Sequence, residues 1–336
     1  MPKNIDFNSS IKIGEHLAEP LINSLAENDL FIFSPTSRSL IDKNLQIKAA
    51  SLDSTGVGIN KGALNSFIKN EEFKRIVSLG NGRTTDAAKY IAYSTNSELI
   101  SIPTALTTNV FFTNKSCLLE DGLKKTFQSK TPDTLLIDLE ILDKVPFKYN
   151  LFGLCDVLSI HTALHDWDFS LTSDKPEKID TFLYEMASFT LQQLISNRKN
   201  ITKSNPESLE IITRLLMLAG YITNIAGCGR PESGSEHIIA SFLEKNIDTY
   251  HAVSVIAGIL IVMRLQNSED PAILSAIKDL GLLDALADDE ETLALLHEIP
   301  NNVKPRKDRY TILNEKQVTN KDIEAVISYV LKNKSK

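Results

Sequence analysis

Three separated residues carry the donor atoms that a divalent cation needs: Asp156 in LFGLCDVLSIHTALHDWD, His237 in GRPESGSEHIIASFLE, and His251 in DTYHAVSVIAGILI. One carboxylate and two imidazoles leave coordination positions open, so an ion held there polarises a substrate oxygen rather than only bracing a fold. Zinc, iron and nickel all tolerate this donor set. His237 and His251 are fourteen residues apart, so on one unbroken helix they would share a face yet sit ~21 Å apart, too far for a single ion. The polar stretch Lys245–Thr249 predicts a break, with good N-cap residues for a second helix starting near Tyr250. Two helix starts then bring both rings to one point. Cys155 stands beside Asp156, but adjacent residues on a helix point ~100° apart, and packing is the expectation for its thiol.

A second chemistry-bearing segment is RIVSLGNGRTTDAAKYIAYS, which reads as a strand, a glycine turn and a helix over Thr84–Tyr93. Gly80 and Gly82 let the backbone approach a pyrophosphate with no Cβ in the way, and the N–H groups opening the helix then point at the anion. The dinucleotide pattern G-x-G-x-x-G fails here, because its third position is Thr85. Two further imidazoles, His161 and His165, lie one turn apart on the helical pattern that holds Asp156. On an ideal helix they point about 140° and 180° away from it. His161 is the one candidate for a catalytic proton-transfer role; packing or surface positions are the alternative for both.

The elements that must position these residues have two textures. Over the first ~140 residues, short apolar runs alternate with helical patterns, the signal for a parallel sheet covered by helices. Candidate strands are Ile11–Ile13, Leu30–Phe33, Arg75–Leu79, Glu98–Ile102 and Thr134–Ile137, with amphipathic stretches at Glu15–Ala26 and Lys61–Ile68. Beyond Asp143 strand signals nearly vanish, and helical patterns run through Phe152–Phe169, Lys178–Ser196, Ser208–Asn224, Ser235–Glu244, Tyr250–Gln266, Pro271–Leu280 and Lys316–Leu331. The expected architecture is an α/β, Rossmann-like N-terminal domain over residues 1–142 followed by an all-helical C-terminal domain over residues 143–336.

With 336 residues, 42% hydrophobic and 24% charged, the chain can bury two cores in an ordinary soluble protein. A net charge of −7 without a long basic run argues against nucleic-acid or anionic-membrane partners. The start MPKNIDFNSS lacks an apolar core of signal-peptide length, and the longest apolar run, Val253–Met263, is too short to span a bilayer and reads as a buried helix. Three cysteines with no C-x-x-C pair are expected to be reduced thiols of a cytoplasmic protein.

The wording around these residues resembles a known family. GRPESGSEH followed by the second His, the upstream G-x-x-D-V-x-x-x-x-T-A-x-x-D-W, and RKDRYTIL at Arg306–Leu313 are similar to the sn-glycerol-1-phosphate dehydrogenase branch of a superfamily that also holds the iron-dependent alcohol dehydrogenases and the dehydroquinate synthases. That branch carries a G-G-G-x-x-x-D-x-A-K signature, which Gly80, Gly82, Asp86, Ala88 and Lys89 match, with Asn81 in place of the middle glycine. SIPTALTTN (Ser101–Asn109) resembles the family's I-P-T-x-x-S segment, implying that Thr104 and Thr107 lie near the nicotinamide ribose and phosphates. The resemblance implies a dehydroquinate synthase-like fold, NAD(P)H and one divalent metal as cofactors, a small carbonyl or alcohol as substrate, and a homo-oligomer. For the nucleotide, Leu30–Phe33 runs into Ser34-Pro35-Thr36-Ser37-Arg38 with hydroxyls and a base but no acid, which permits NADP and leans toward it.

Three departures touch the substrate. The family's S-H-D-G is replaced by Thr107-Thr108-Asn109-Val110, so Thr108 and Asn109 become the candidate substrate contacts. A customary Lys is Ile160, with His161 and His165 in unaccustomed places. The usual H-G-E reads His251-Ala252-Val253, removing a carboxylate behind the second imidazole. The expected reaction is hydride reduction of a small carbonyl such as dihydroxyacetone phosphate. A dehydroquinate synthase-like cyclisation using NAD transiently, and a binding protein that has kept only the fold, are the competing readings.

Overall fold

The computed structural model describes residues 10–55, 59–174, 176–205 and 207–335; the leading segment read above for targeting signals lies outside them through residue 9. The chain forms two compact units, Met1–Asn150 and Leu151–Lys336. The division falls eight residues beyond the expected 142/143 boundary. Asn150 belongs with the first unit because its side-chain carbonyl accepts the buried Leu106 amide at 2.9 Å.

In the first unit, six parallel strands form one sheet: β1 (Ser10–Gly14), β2 (Asp29–Phe33), β3 (Ala50–Asp53), β4 (Arg75–Gly80), β5 (Glu98–Pro103) and β8 (Thr134–Asp138), in the order β1-β8-β5-β4-β2-β3. β6 (Lys115–Glu120) and β7 (Leu123–Gln128) make a separate antiparallel hairpin. The helices are α1 (Ala18–Asn23), α2 (Pro35–Arg38), α3 (Lys61–Phe67), α4 (Gly82–Thr95), α5 (Leu139–Asp143) and α6 (Lys148–Leu151). Successive strand residues point to opposite faces, and both faces are packed. Phe31, Val77, Leu79, Ile100 and Ile102 join α1, while Leu30, Ile32, Ile76 and Leu99 join α3 and α4.

All five expected strands form. Sequence reading missed β3 and the hairpin, because β3 is a four-residue edge strand and β7, LKKTFQ, is exposed and polar along most of its length. β2 runs outward to β3, and the chain then returns to the other side of β2 as β4 and continues to β5. Strand order therefore reverses at β4, whose carboxyl end carries Gly80, the place where open α/β sheets bind ligands.

The second unit contains no strand among its described residues. Its helices are α7 (Leu154–Leu158), α8 (Ile160–Phe169), α9 (Thr181–Asn197), α10 (Ser208–Ala226), α11 (Ser235–Asn246), α12 (His251–Gln266), α13 (Pro271–Asp279), α14 (Leu282–Ala287), α15 (Glu290–Leu295), α16 (Ile299–Asn302) and α17 (Asn320–Asn333). The expected Phe152–Phe169 helix is two pieces meeting at Ser159, whose hydroxyl donates to the Asp156 carbonyl and to the Glu232 carbonyl. As expected, Val253–Met263 is buried throughout, as the centre of α12. One described helix, α10, is long and apolar enough to cross a membrane by length and composition, but half of it is buried here and it carries a surface Arg214–Glu210 ion pair.

Candidate functional site

Asp156, on the five-residue α7, is buried, with 4% of its surface accessible. α11 opens at Ser235 and ends at Asn246, Ile247 is extended, and α12 opens at His251, so the expected break is present. Its polar residues do other work than capping. Tyr250 occupies the N-cap without a side-chain bond, and the Thr249 hydroxyl donates to Asp289 at 2.7 Å.

The break lets both imidazoles reach Asp156. His251 Nε2 lies 3.3 Å from Asp156 Oδ1, His237 Nε2 lies 3.9 Å from the same oxygen, and the two rings are 5.5 Å apart. Donors each ~2.1 Å from one tetrahedral ion lie roughly 3.4 Å apart, so this anionic oxygen and two neutral-capable nitrogens fit a divalent metal with little adjustment. Cys155 departs from expectation. Its buried thiol donates to Asp156 Oδ1 at 3.6 Å and has Asp156 and His251 donor atoms within 4.8 Å. Side chains on neighbouring positions have swung together across the ~100° between them. Burial, and then the Asp156 charge, push the thiol pKa up, so in the absence of an ion it stays a protonated donor.

Each imidazole is also backed by a carboxylate. His237 Nδ1 is 2.9 Å from Glu236 Oε1, and His251 Nδ1 is 2.6 Å from Glu244 Oε1. An imidazole whose Nδ1–H is given to a carboxylate presents its Nε2 lone pair outward, which here is toward Asp156. Glu236 is fully buried and accepts as well from the Gly234 amide and the Thr162 hydroxyl. Sequence reading missed both acids and took the His251-Ala252-Val253 departure as the loss of such a carboxylate. The structure supplies one from the last turn of α11. Glu236 was signalled by its adjacency to His237; Glu244, seven residues before His251 across a helix break, had no sequence signal. Burial alone would raise the Asp156 carboxyl, but the two imidazoles outweigh it and hold it well below the usual carboxylate range.

What fixes α11 against its neighbours is Asp166, fully buried on α8. Its Oδ2 accepts the Ser235 amide at 2.6 Å, and its Oδ1 accepts the Ile312 amide and the Gln266 side chain, both at 2.9 Å. The RKDRYTIL run is thus a clasp on this carboxylate, reinforced by Arg230, which donates to the Tyr310 and Asp166 carbonyls, and by Arg309, which donates to the Ser233 carbonyl.

His161, the candidate for proton transfer, lies against the end of α12. Its Nε2 lies 2.7 Å from the Ser268 carbonyl, and its ring packs against His165 at 4.7 Å. The ring braces the turn after α12. Its direction on the helix, turned away from Asp156, is the physical reason.

In the first unit, Asn81 occupies the N-cap of α4 with its side chain exposed and making no capping bond. A Cβ on Gly82 would rest in ordinary contact with Thr108 Cγ2 at 3.5 Å, so Gly82 and Thr108 face each other across the loop. Gly80 has no such room: a Cβ there would lie 2.6 Å from the Thr84 side chain. Thr104 donates its amide to the Gly80 carbonyl at 3.1 Å, and Thr107 and Thr108 are half-buried, so Gly80, Gly82, Thr104 and Thr108 converge on the loop.

Asp86 does not join them. The structure directs this cofactor candidate inward, where burial raises its carboxyl to about 7 while Lys89, the Cys117 amide and the Ser116 hydroxyl pull it down. Lys89, inaccessible to solvent, donates to the Val110 carbonyl at 2.8 Å and to the Thr113 hydroxyl at 3.0 Å. The D-x-A-K part of the signature therefore anchors the segment after Asn109, itself 8% exposed, to α4. At the end of β2, the Ser34 and Ser37 hydroxyls are spent on a capping box, and Ser37 also donates to the Leu79 carbonyl.

A profile of the iron-containing alcohol dehydrogenases matches residues 31–146. That segment of the chain is similar to those enzymes. The chain is similar to the glycerol-1-phosphate dehydrogenase [NAD(P)+] of Methanosarcina acetivorans, 26% identical over 71% of this chain and 67% of that one. The protein of that name from Thermococcus kodakarensis is 24% identical over 92% of both chains. Among solved structures, glycerol dehydrogenase from Schizosaccharomyces pombe shares the fold with a TM-score of 0.70 at 18% identity, over 97% of this chain and 90% of that one.

Proposed function

We propose that this chain is a metal-dependent, NAD(P)H-linked oxidoreductase that reduces a small carbonyl compound to an alcohol, with dihydroxyacetone phosphate as the first substrate to test. The observation that carries the reading is the convergence of His251 Nε2 and His237 Nε2 on Asp156 Oδ1, each ring backed by its own carboxylate. A divalent ion held there supplies Lewis acidity toward a carbonyl oxygen, and a nicotinamide at the glycine loop supplies hydride. The chain's own residues prepare for both. Asp156 stays ionised, Glu236 and Glu244 orient the rings, and α4 opens directly after the Gly80–Gly82 turn at the carboxyl end of β4, where a helix N-terminus favours phosphate.

On the substrate side, Ile160 is 1% exposed and packed in the core, so no group there grips a phosphate. His161 is committed to Ser268, which leaves Thr107, Thr108 and Asn109 as the polar candidates. A buried site lacking one hydrogen-bond partner discriminates by factors of ~10⁴. Dihydroxyacetone phosphate is therefore either a poor substrate or one held by this chain's own set of residues. The test is metal analysis of the purified protein, then NADH and NADPH oxidation against a panel of small carbonyls that includes dihydroxyacetone phosphate. Stoichiometric metal with no nucleotide oxidation on any carbonyl would refute the reductase reading. Strong preference for dihydroxyacetone phosphate, unaffected by Asn109→Ala, would remove Asn109 from the substrate contacts.

A further inference from the structure

We infer that Glu244 is a positioning residue that fixes the tautomer and direction of His251, in place of the carboxylate that Val253 does not supply; the inference rests on the metal-site reading above. A metal-ligating histidine almost always gives its other ring N–H to an acceptor, which fixes the tautomer and ring direction and raises ligand basicity. The His251 ring offers both nitrogens to carboxylates, Nδ1 to Glu244 Oε1 at 2.6 Å and Nε2 to Asp156 Oδ1 at 3.3 Å. Packing alone does not hold this ring. His251 is the first residue of α12, its side chain is 38% exposed, and the residue before it makes no cap.

The two acids are placed differently. Glu236 sits beside His237 and is itself locked by the Gly234 amide and the Thr162 hydroxyl. Glu244 reaches His251 from the last turn of α11, across the break, with its own side chain 14% exposed. Val253, at the position of the missing acid, is a buried apolar residue 1% exposed. The carboxylate behind the second imidazole thus comes from before the ligand in sequence.

The test measures the zinc dissociation constant by chelator competition for wild type, Glu244→Gln, Glu244→Ala and His251→Ala, with thermal melting of each protein in excess chelator. We expect Glu244→Gln, which keeps an acceptor but loses the charge, to weaken zinc by about 10-fold, and Glu244→Ala by closer to 100-fold. Melting in chelator should fall only by the loss of the Glu244–His251 pair, and by less than the loss of zinc affinity. Zinc affinities within about twofold of wild type in both variants would overturn the inference, even if His251→Ala loses the metal. A loss of affinity accompanied by an equal loss of metal-free stability would overturn it too, because a structural role accounts for that. Should Glu244→Ala fail to fold, the near-isosteric Glu244→Gln carries the test. Absence of zinc binding in wild type, or undiminished binding in His251→Ala, would instead remove the metal reading itself and this inference with it.

Discussion

The backbones of α11 and α12 pass close together beside the candidate metal centre, which makes Gly258 a sensitive point. A Cβ on Gly258 of α12 would lie 2.4 Å from the Glu236 carbonyl oxygen, 2.9 Å from its Cα and 3.0 Å from its carbonyl carbon. None of these is the end of a flexible side chain. Gly258→Ala must therefore push α11 and α12 apart by about 1 Å to restore ordinary contact. Overpacking of this kind costs about 1–3 kcal/mol, while Gly→Ala in a helix interior returns up to ~1 kcal/mol, so net destabilisation should stay near 0–2 kcal/mol. The metal centre has less tolerance. Glu236 adjoins His237, and donors must sit within ~0.2 Å of their ideal distances. A 1 Å displacement of His237 from Asp156 and His251 should cost on the order of 100-fold in turnover, with a parallel loss of zinc affinity. The assay pairs denaturant unfolding with zinc competition on the same preparation. A Gly258→Ala protein that binds zinc as wild type does, and turns over normally, would refute the reasoning that helix spacing sets the donor geometry.

The remaining predictions concern the nucleotide loop, a buried lysine and pH. Gly82→Val should raise the Michaelis constant for NAD(P)H while leaving metal content unchanged, because its Cβ meets Thr108 only at ordinary contact distance; Gly80→Ala should instead lower the melting temperature, through collision with Thr84. Lys89→Met leaves the buried Val110 carbonyl and Thr113 hydroxyl without their donor, and urea titration should show a loss of about 1–3 kcal/mol. In metal-free protein, burial pulls both imidazoles down but is outweighed: Asp156 and Glu236 raise His237 to about 9, and Asp156 and Glu244 raise His251 to about 10. Folded-state values above the ordinary 6.5 contribute stability that is complete below pH 6.5 and is lost as pH climbs through 9 and 10. Zinc needs both rings deprotonated, so its affinity should run the other way, rising by up to ~100-fold per pH unit between those limits. Melting with and without chelator across that range checks both signs.

The legible parts of this chain are those whose signal is local. The buried strands announce themselves as apolar runs, and Asp156, His237 and His251 are recognisable by residue type once the break at Lys245–Thr249 is allowed for. What was not legible depends on who meets whom in space. β7 shows LKKTFQ to solvent and lacks the apolar alternation of a packed strand. Asp86 looks like part of a phosphate signature, yet burial on α4 turns it toward Ser116, Cys117 and Lys89. His161 was placed by its type, though its spacing from Asp156 already pointed it elsewhere, and its nitrogen found the Ser268 carbonyl.

RKDRYTIL shows how a distant motif belongs to a site it never touches chemically. Read as a string, it is a tail signature about seventy residues after His237. In the fold, the Ile312 amide and the Ser235 amide share one buried carboxylate, Asp166, whose charge would otherwise be stranded in the core. Burial and the nearby Glu236 push that carboxyl's pKa up, so each donated amide works against a real desolvation cost. Take away the clasp, and Asp166 loses one of the bonds that hold it ionised at the opening of α11. The helix start that presents His237 loses its anchor at the same time. The motif and the metal ligand thus constrain each other through a single side chain, and an alteration in the tail should be read out at the imidazole.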